Sequence, residues 1–187
     1  MKTEKKRQLI HLLLGIAYIT IVFFLPKEHS LIALLGIFAV GSLVSYTHAH
    51  VRPIPFLNNI LAKVEREKET SIPGRAALSF TLGIILSAII FYSFGKMVLL
   101  GAVIALTFGD GFSTIIGKSI GKRKTFDNKT LEGTIGGIIV AAIVLSLFFK
   151  PEVAIATAIF AMLAEYTPIN DNYAIPLVSG LVLVFLI

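Results

Sequence analysis

From Leu9 to Leu25 the chain carries no Asp, Glu, Lys or Arg, and between Met97 and Ile116 its only charged side chain is Asp110. Apolar runs of this length restrict what a chain can become. A helix crossing the hydrocarbon of a bilayer needs roughly 20 apolar residues, within about 17–25. Seven segments approach that requirement, at about 8–25, 30–47, 73–93, 97–117, 133–149, 151–166 and 174–187. The first four are well supported. The last three are short, and the turn at Lys150-Pro151 either separates two spans or joins two half-spans, giving five to seven in all. The expected fold is all-α: a polytopic membrane helical bundle of about seven transmembrane helices, in a single domain over residues 1–187, with no internal repeat and no linker.

Composition agrees. Apolar residues make up 56% and charged residues 15% of the 187, against roughly 45–50% and 25% in soluble domains. That balance excludes a disordered chain, an ordinary nucleic-acid-binding domain and a soluble enzyme. There is no cysteine, so disulfides, thiol nucleophiles and thiolate metal sites are excluded as well. Four histidines are too scattered to suggest a zinc site. The basic start (Lys2, Lys5, Lys6, Arg7) resembles a signal peptide, but its apolar run meets Pro26-Lys27-Glu28-His29 rather than a small-residue cleavage site. A cleaved leader is therefore not expected.

In a membrane protein the net charge of +6 is read by its sidedness. With seven spans, fourteen Lys and Arg fall on the side of the amino terminus, and only Lys27, Lys96 and Lys150 fall on the other. The positive-inside bias then puts the amino terminus in the cytoplasm. The long polar segments, 48–72, 118–132 and 167–173, share that side. The expected protein is integral and multi-pass, working at its cytoplasmic face, in the cell membrane of a prokaryote or the endoplasmic reticulum of a eukaryote. A homodimer is compatible with this reading.

Asp110 is the most informative residue. A carboxylate within a span costs about 2.5–3.5 kcal/mol on insertion scales. It sits between Gly109 and Gly111, which let the backbone unwind or let another group come close. Its chemistry suits a metal-coordinating or catalytic group facing a polar cavity; pairing with a nearby Arg or Lys is the structural alternative. Lys118, Lys122, Arg123, Lys124 and Lys129 follow, interspersed with Gly117 and Gly121. Amines and close-approaching glycine amides suit a polyphosphate. A loop touching anionic lipid headgroups explains the same residues, and the P-loop spacing is absent. A carboxylate eight residues from a cation cluster matches what nucleotide chemistry requires.

Further on, Thr130 is placed to cap the next helix, with Glu132, Gly133 and Thr134 in its first turns. The alternating charges of 64–70 read as a solvated helix face, with Glu67 or Glu69 as alternative metal ligands. Asp171-Asn172 opens the last span, where turn chemistry and a role in the site are both open. His11, one turn after Arg7, is expected to hydrogen-bond locally. An ion or proton transporter built on Asp110 would explain a midspan carboxylate, but not the cations beside it.

Taken together these segments resemble the CTP-dependent lipid kinases, a family that includes dolichol kinase, phytol kinase and yeast-type diacylglycerol kinase. The central match runs from Gly109-Asp110-Gly111 through Gly117-Lys118 and Gly121-Lys122 to Asn128-Lys129-Thr130-Leu131-Glu132-Gly133-Thr134. Arg7 with His11, Arg66-Glu67 with Glu69, and Asp171-Asn172 before Ile175-Pro176 agree in order. The same stretch is similar to phosphatidate cytidylyltransferases, whose terminal basic and His-Gly-Gly signature is missing after residue 137. The resemblance implies CTP as phosphoryl donor and a membrane lipid alcohol as acceptor, dolichol, phytol, geranylgeraniol or diacylglycerol among them. It implies Mg2+ held by Asp110 with Glu132 or Asp171, and catalytic roles for Asp110, Lys118 and Glu132. Nucleotide contacts would come from Gly109, Gly111, Gly117, Gly121, Lys122, Arg123, Lys124, Asn128, Lys129, Thr130, Gly133 and Thr134. Arg66, Glu67, Glu69, Asp171 and Asn172 would join them. The cytidylyltransferase alternative joins CMP to a lipid phosphate, giving a CDP-lipid such as CDP-archaeol or CDP-diacylglycerol.

Overall fold

A computed structural model describes residues 2–55, 61, 72–126 and 129–187, with side chains from Lys6 onward. The described residues form seven helices and no strand. They are α1 (Lys2–Phe24), α2 (Lys27–His50), α3 (Arg75–Ile90), α4 (96–120), α5 (Leu131–Leu145), α6 (Pro151–Leu163) and α7 (Asp171–Leu186). They coincide with the seven apolar segments, differing at their ends. From Lys6 onward α1 is long and apolar enough to cross a membrane, as are α2 and α4. The others are shorter, and α6, with 13 residues, is only about 20 Å long.

Breaks fall where the backbone chemistry asks for them. Pro26 stands at the N-cap of α2, and Pro151 at the first position of α6, where its missing N–H costs nothing. Gly95 and Gly74 precede α4 and α3 with φ of +98° and +74°, a region that other residues rarely enter. Asn170 caps α7, its side chain accepting from the Asn172 amide.

Helix α4 is the axis of the molecule, with every residue from Val98 to Thr107 buried. Around it pack Tyr18 and Val22 of α1, Ile84 of α3, Leu145 of α5, Met162 of α6 and Ile175 of α7, all fully buried. Helix α2 touches this core only along one edge, through Leu34 with Leu31 and Phe38 beside it. Among its large apolar residues only Leu34 is buried, while Ile32, Val40 and Leu43 are more than 60% exposed.

The bundle has two chemically different ends. At one, Lys96 Nζ donates to the Phe23 carbonyl at 2.7 Å, and Lys27 Nζ donates to the Tyr92 carbonyl at 3.0 Å and lies over the Tyr92 ring. Phe149, just before Lys150, packs against Gly101 at the same end of α4. At the other end Arg7, Arg75, Lys118 and Lys129 line a cavity.

Asp110 does not interrupt its helix. Residues Ala105–Asp110 widen into a π-helical turn, and the helix resumes at Gly111. The flanking glycines serve close packing instead of unwinding. Gly109 lies against Met162 and Gly111 against Leu12, where a Cβ would be crowded. A π turn inside an α-helix is uncommon and recurs at functional sites.

Candidate functional site

A cavity of about 1320 Å³ opens at the basic end of the bundle. Ligand pockets are commonly about 300–1,000 Å³, so this one has room for more than one group. Six elements build most of it. Helix α4 contributes Asp110, Ser113, Thr114, Gly117 and Lys118; the start of α5 contributes Thr130, Gly133 and Thr134. Glu165 comes from the 3₁₀ turn after α6, Asp171 and Asn172 from the start of α7, and α1 and α3 complete the wall.

Small residues let α4 and α5 come close enough to share the site. A Cβ on Gly133 would meet the Ser113 carbonyl and the Gly117 Cα, both backbone atoms that cannot move aside. Thr130 caps α5 by accepting from the Gly133 amide at 3.2 Å, as its position in sequence predicts. Thr134 is buried and meets the Tyr166 hydroxyl at 2.7 Å, tying α5 to the turn that carries Glu165.

Asp110 faces α1. Its Oδ2 lies 3.6 Å from His11 Nε2, which is also 3.4 Å from the Leu106 carbonyl. His11 therefore looks across to residues 95 positions away instead of bonding locally toward Arg7. Glu165 is the second acidic group. It is 3% exposed and accepts from Ser113 Oγ at 2.7 Å. Burial pushes its carboxyl up to about 8 from 4.5, with Asp110 and Asp171 adding in the same direction while the Ser113 hydrogen bond and Lys129 oppose it. Lys129 Nζ donates to Asp171 Oδ1 at 2.7 Å and to the Glu165 carbonyl oxygen. It thus locks the turn to the start of α7. Asn172 Nδ2 donates to Ser79 Oγ at 2.7 Å and brings in α3.

The predicted residues divide accordingly. Asp110, Gly117, Lys118, Lys129, Thr130, Gly133, Thr134, Asp171 and Asn172 converge on the cavity. Gly109, Gly111, Gly121, Lys122, Arg123, Lys124 and Glu132 do not line it. Gly121 closes α4, its amide bonded to the Gly117 carbonyl at 3.0 Å. The side chains of Lys122, Arg123 and Lys124 are exposed on the loop. Glu132 accepts from the Lys122 and Arg123 amides at 3.1 and 3.2 Å, so it clamps that loop rather than reaching Asp110. Its own amide, with those two and the Arg123 charge, holds its carboxyl below the ordinary range. Asn128, Arg66, Glu67 and Glu69 lie outside the described residues. Glu165, Ser113, Gln8 and Arg75 line the cavity as well, without belonging to any of the motifs above. Glu165 carried a usable signal, because it is the only charged residue between Val153 and Asn170.

Among the described residues no three His, Asp or Glu side chains form a metal-binding cluster. The donors present, Asp110 with Glu165 close by, fit the manner of magnesium, which takes one or two carboxylates and fills its sphere with water and substrate phosphate.

No protein-family model matches the chain, and no solved structure matches it. An uncharacterized protein of Methanocaldococcus jannaschii is 28% identical over 185 residues, covering 96% of this chain and 92% of that relative.

Proposed function

We propose that this chain is a membrane phosphotransferase that moves the γ-phosphoryl group of CTP to the hydroxyl of a lipid alcohol at the cytoplasmic face. The observation that carries the reading is the cavity. One concave site combines Asp110, Lys118, Lys129 and the Thr130–Thr134 helix start with an apolar strip on α1 and α3. All seven helices are taken as membrane spans, the shorter ones crossing a bilayer locally thinned around them, with the amino terminus inside.

In this reading the acceptor hydroxyl oxygen attacks the γ-phosphorus, and the bond to the β–γ bridging oxygen breaks. CDP leaves and the hydroxyl proton passes to water in the cavity. Lys118 supplies charge along the polyphosphate, as phosphoryl transfer demands. Lys129 is already engaged by Asp171 and the Glu165 carbonyl, so it acts first by holding the site together. Asp110, with Glu165 nearby, would hold Mg2+, which when bound neutralises phosphate charge.

The test supplies γ-labelled and α-labelled CTP in parallel, with a lipid alcohol and with a phosphatidate-type lipid. Lipid label from the γ-phosphate only, with CDP released, is expected. Lipid label from the α-phosphate, with pyrophosphate released, would replace this reading with a CDP-lipid synthase. No transfer from either position would end both.

A further inference from the structure

We infer that α1 and α3 form the receiving site for the acceptor, with Gln8 hydrogen-bonding the lipid hydroxyl and the tail leaving toward the bilayer between Ile10 and Ala77. The inference deepens the phosphotransferase reading and rests on it for the identity of the ligand as a lipid alcohol.

Two independent observations carry it. The first is the chemistry of the wall. The α4, α5 and α7 side of the cavity bears Asp110, Lys118, Lys129 and Asp171; on α1 and α3 the polar Arg7, Gln8, His11, Arg75 and Ser79 are joined by an apolar strip of Ile10, Leu14, Ala76, Ala77 and Phe80. Ile10 is 39% exposed and both alanines are exposed, so this apolar strip continues from the cavity to the outer surface. On that surface Leu9 and Leu13 flank it. Deeper in the bundle the seam is closed. Tyr18 Oη and Thr81 Oγ1 meet at 2.6 Å, and Phe80 stacks on Tyr18 with the His11 ring 4.4 Å away on an edge contact. A chain leaving the cavity along this wall is therefore turned outward.

The second observation is Gln8. It lines the cavity, is only 3% exposed, and its Oε1 has no hydrogen-bond partner. A buried amide oxygen left unpaired is costly, and such groups in native proteins call for an explanation. An anion cannot satisfy a carbonyl oxygen. A hydroxyl can, and because it both donates and accepts it satisfies either end of the amide. Gln8 and His11 stand three residues apart on one face of α1, and His11 Nε2 is 3.6 Å from Asp110. A hydroxyl held at Gln8 is thus on the Asp110 side of the cavity.

The experiment uses the full chain in nanodiscs, without nucleotide, and a C20 isoprenoid alcohol carrying a diazirine in its tail. Crosslinks are expected on the peptides holding Ile10–Leu14 and Ala76–Phe80. Geranylgeraniol should suppress them at a concentration at least tenfold below that of the same hydrocarbon without a hydroxyl. Gln8→Leu should melt no lower than the parent and lose that tenfold preference. Ala77→Phe, at an exposed position, should cut labelling about tenfold by filling the seam. Labelling spread over the outer face of α2, or an unchanged preference in Gln8→Leu, would overturn the inference. Capture here without any phosphorylation would remove the kinase reading and keep this site; phosphorylation with labelling elsewhere would do the reverse.

Discussion

Two acids on neighbouring elements, Asp110 part-buried and Glu165 buried, set the chemistry of the cavity, and they differ in what surrounds them. Asp110 faces a histidine and open space; Glu165 faces a serine hydroxyl and the core. Asp110→Asn keeps the shape and removes the charge, so the variant should insert and purify normally. Its turnover should fall more than tenfold, over about 1.4 kcal/mol of barrier. A variant retaining more than a tenth of parental activity would show that Asp110 does not act on the phosphates. Glu165 makes a different prediction. Its carboxyl ionises near 8 when folded against about 4.5 when exposed. Folding therefore loses stability as pH rises from the lower value to the higher, and the loss is complete above about 8. Glu165→Gln cannot ionise. In chelator, melts followed by circular dichroism should show the variant level with the parent near pH 4 and several degrees above it at pH 9. Equal midpoints at both pH values would mean that Glu165 is solvated.

Glycine decides how the elements meet. A Cβ on Gly137 of α5 would press on the Gly109 carbonyl and on Ser113 of α4 as well as on Met162, and backbone atoms cannot give way. Gly137→Ala should destabilise by about 1–3 kcal/mol, the usual cost of overpacking. Gly36, exposed on α2 with nothing nearby, is the control. There alanine should gain up to about 1 kcal/mol from helix propensity alone. Thermal midpoints of the two variants in one detergent should move in opposite directions. The same elements show what the sequence could reveal. Apolar runs locate all seven helices because burial in protein or in lipid requires such runs. The Thr130 cap is equally legible, since capping is local chemistry. Glu132 and His11 are not. Nothing local says that the Glu132 carboxylate will turn back onto the Lys122 and Arg123 amides, or that α1 will cross α4 at Gly15 and Thr107 and so bring His11 to Asp110. Those outcomes depend on helix crossings, which single-helix periodicity does not encode. The glycines around Asp110 were readable as hinge or as packing surface, and only the π turn and the contacts of Gly109 and Gly111 separate the two.

At the scale of the whole molecule, charge and geometry divide the bundle the same way. Lys27 and Lys96 meet at one end, where they bond to carbonyls at the end of α1 and in the turn before α4. Arg7, Arg75, Lys118 and Lys129 line the cavity at the other end. Along α1 alone, Arg7 and Phe24 are separated by about 25 Å at 1.5 Å per residue, close to the thickness of a bilayer core. If the cavity end faces the cytoplasm, fourteen of the seventeen Lys and Arg lie inside, the asymmetry that insertion favours. A nucleotide would then reach Lys118 from the compartment where nucleoside triphosphates are made. The complete absence of cysteine makes this orientation directly measurable, because any thiol signal must come from an introduced residue. Cysteines at Lys122 and Lys124, on the exposed loop, should react with a membrane-impermeant maleimide only in inside-out vesicles. Cysteine at Lys150, exposed before α6, should react only in intact cells or right-side-out vesicles. Reaction of Lys122 and Lys150 substitutions from the same side would mean an even number of crossings between them. That would remove α5 as a single span, and reaction of the Lys122 position in intact cells would overturn the cytoplasmic placement of the cavity.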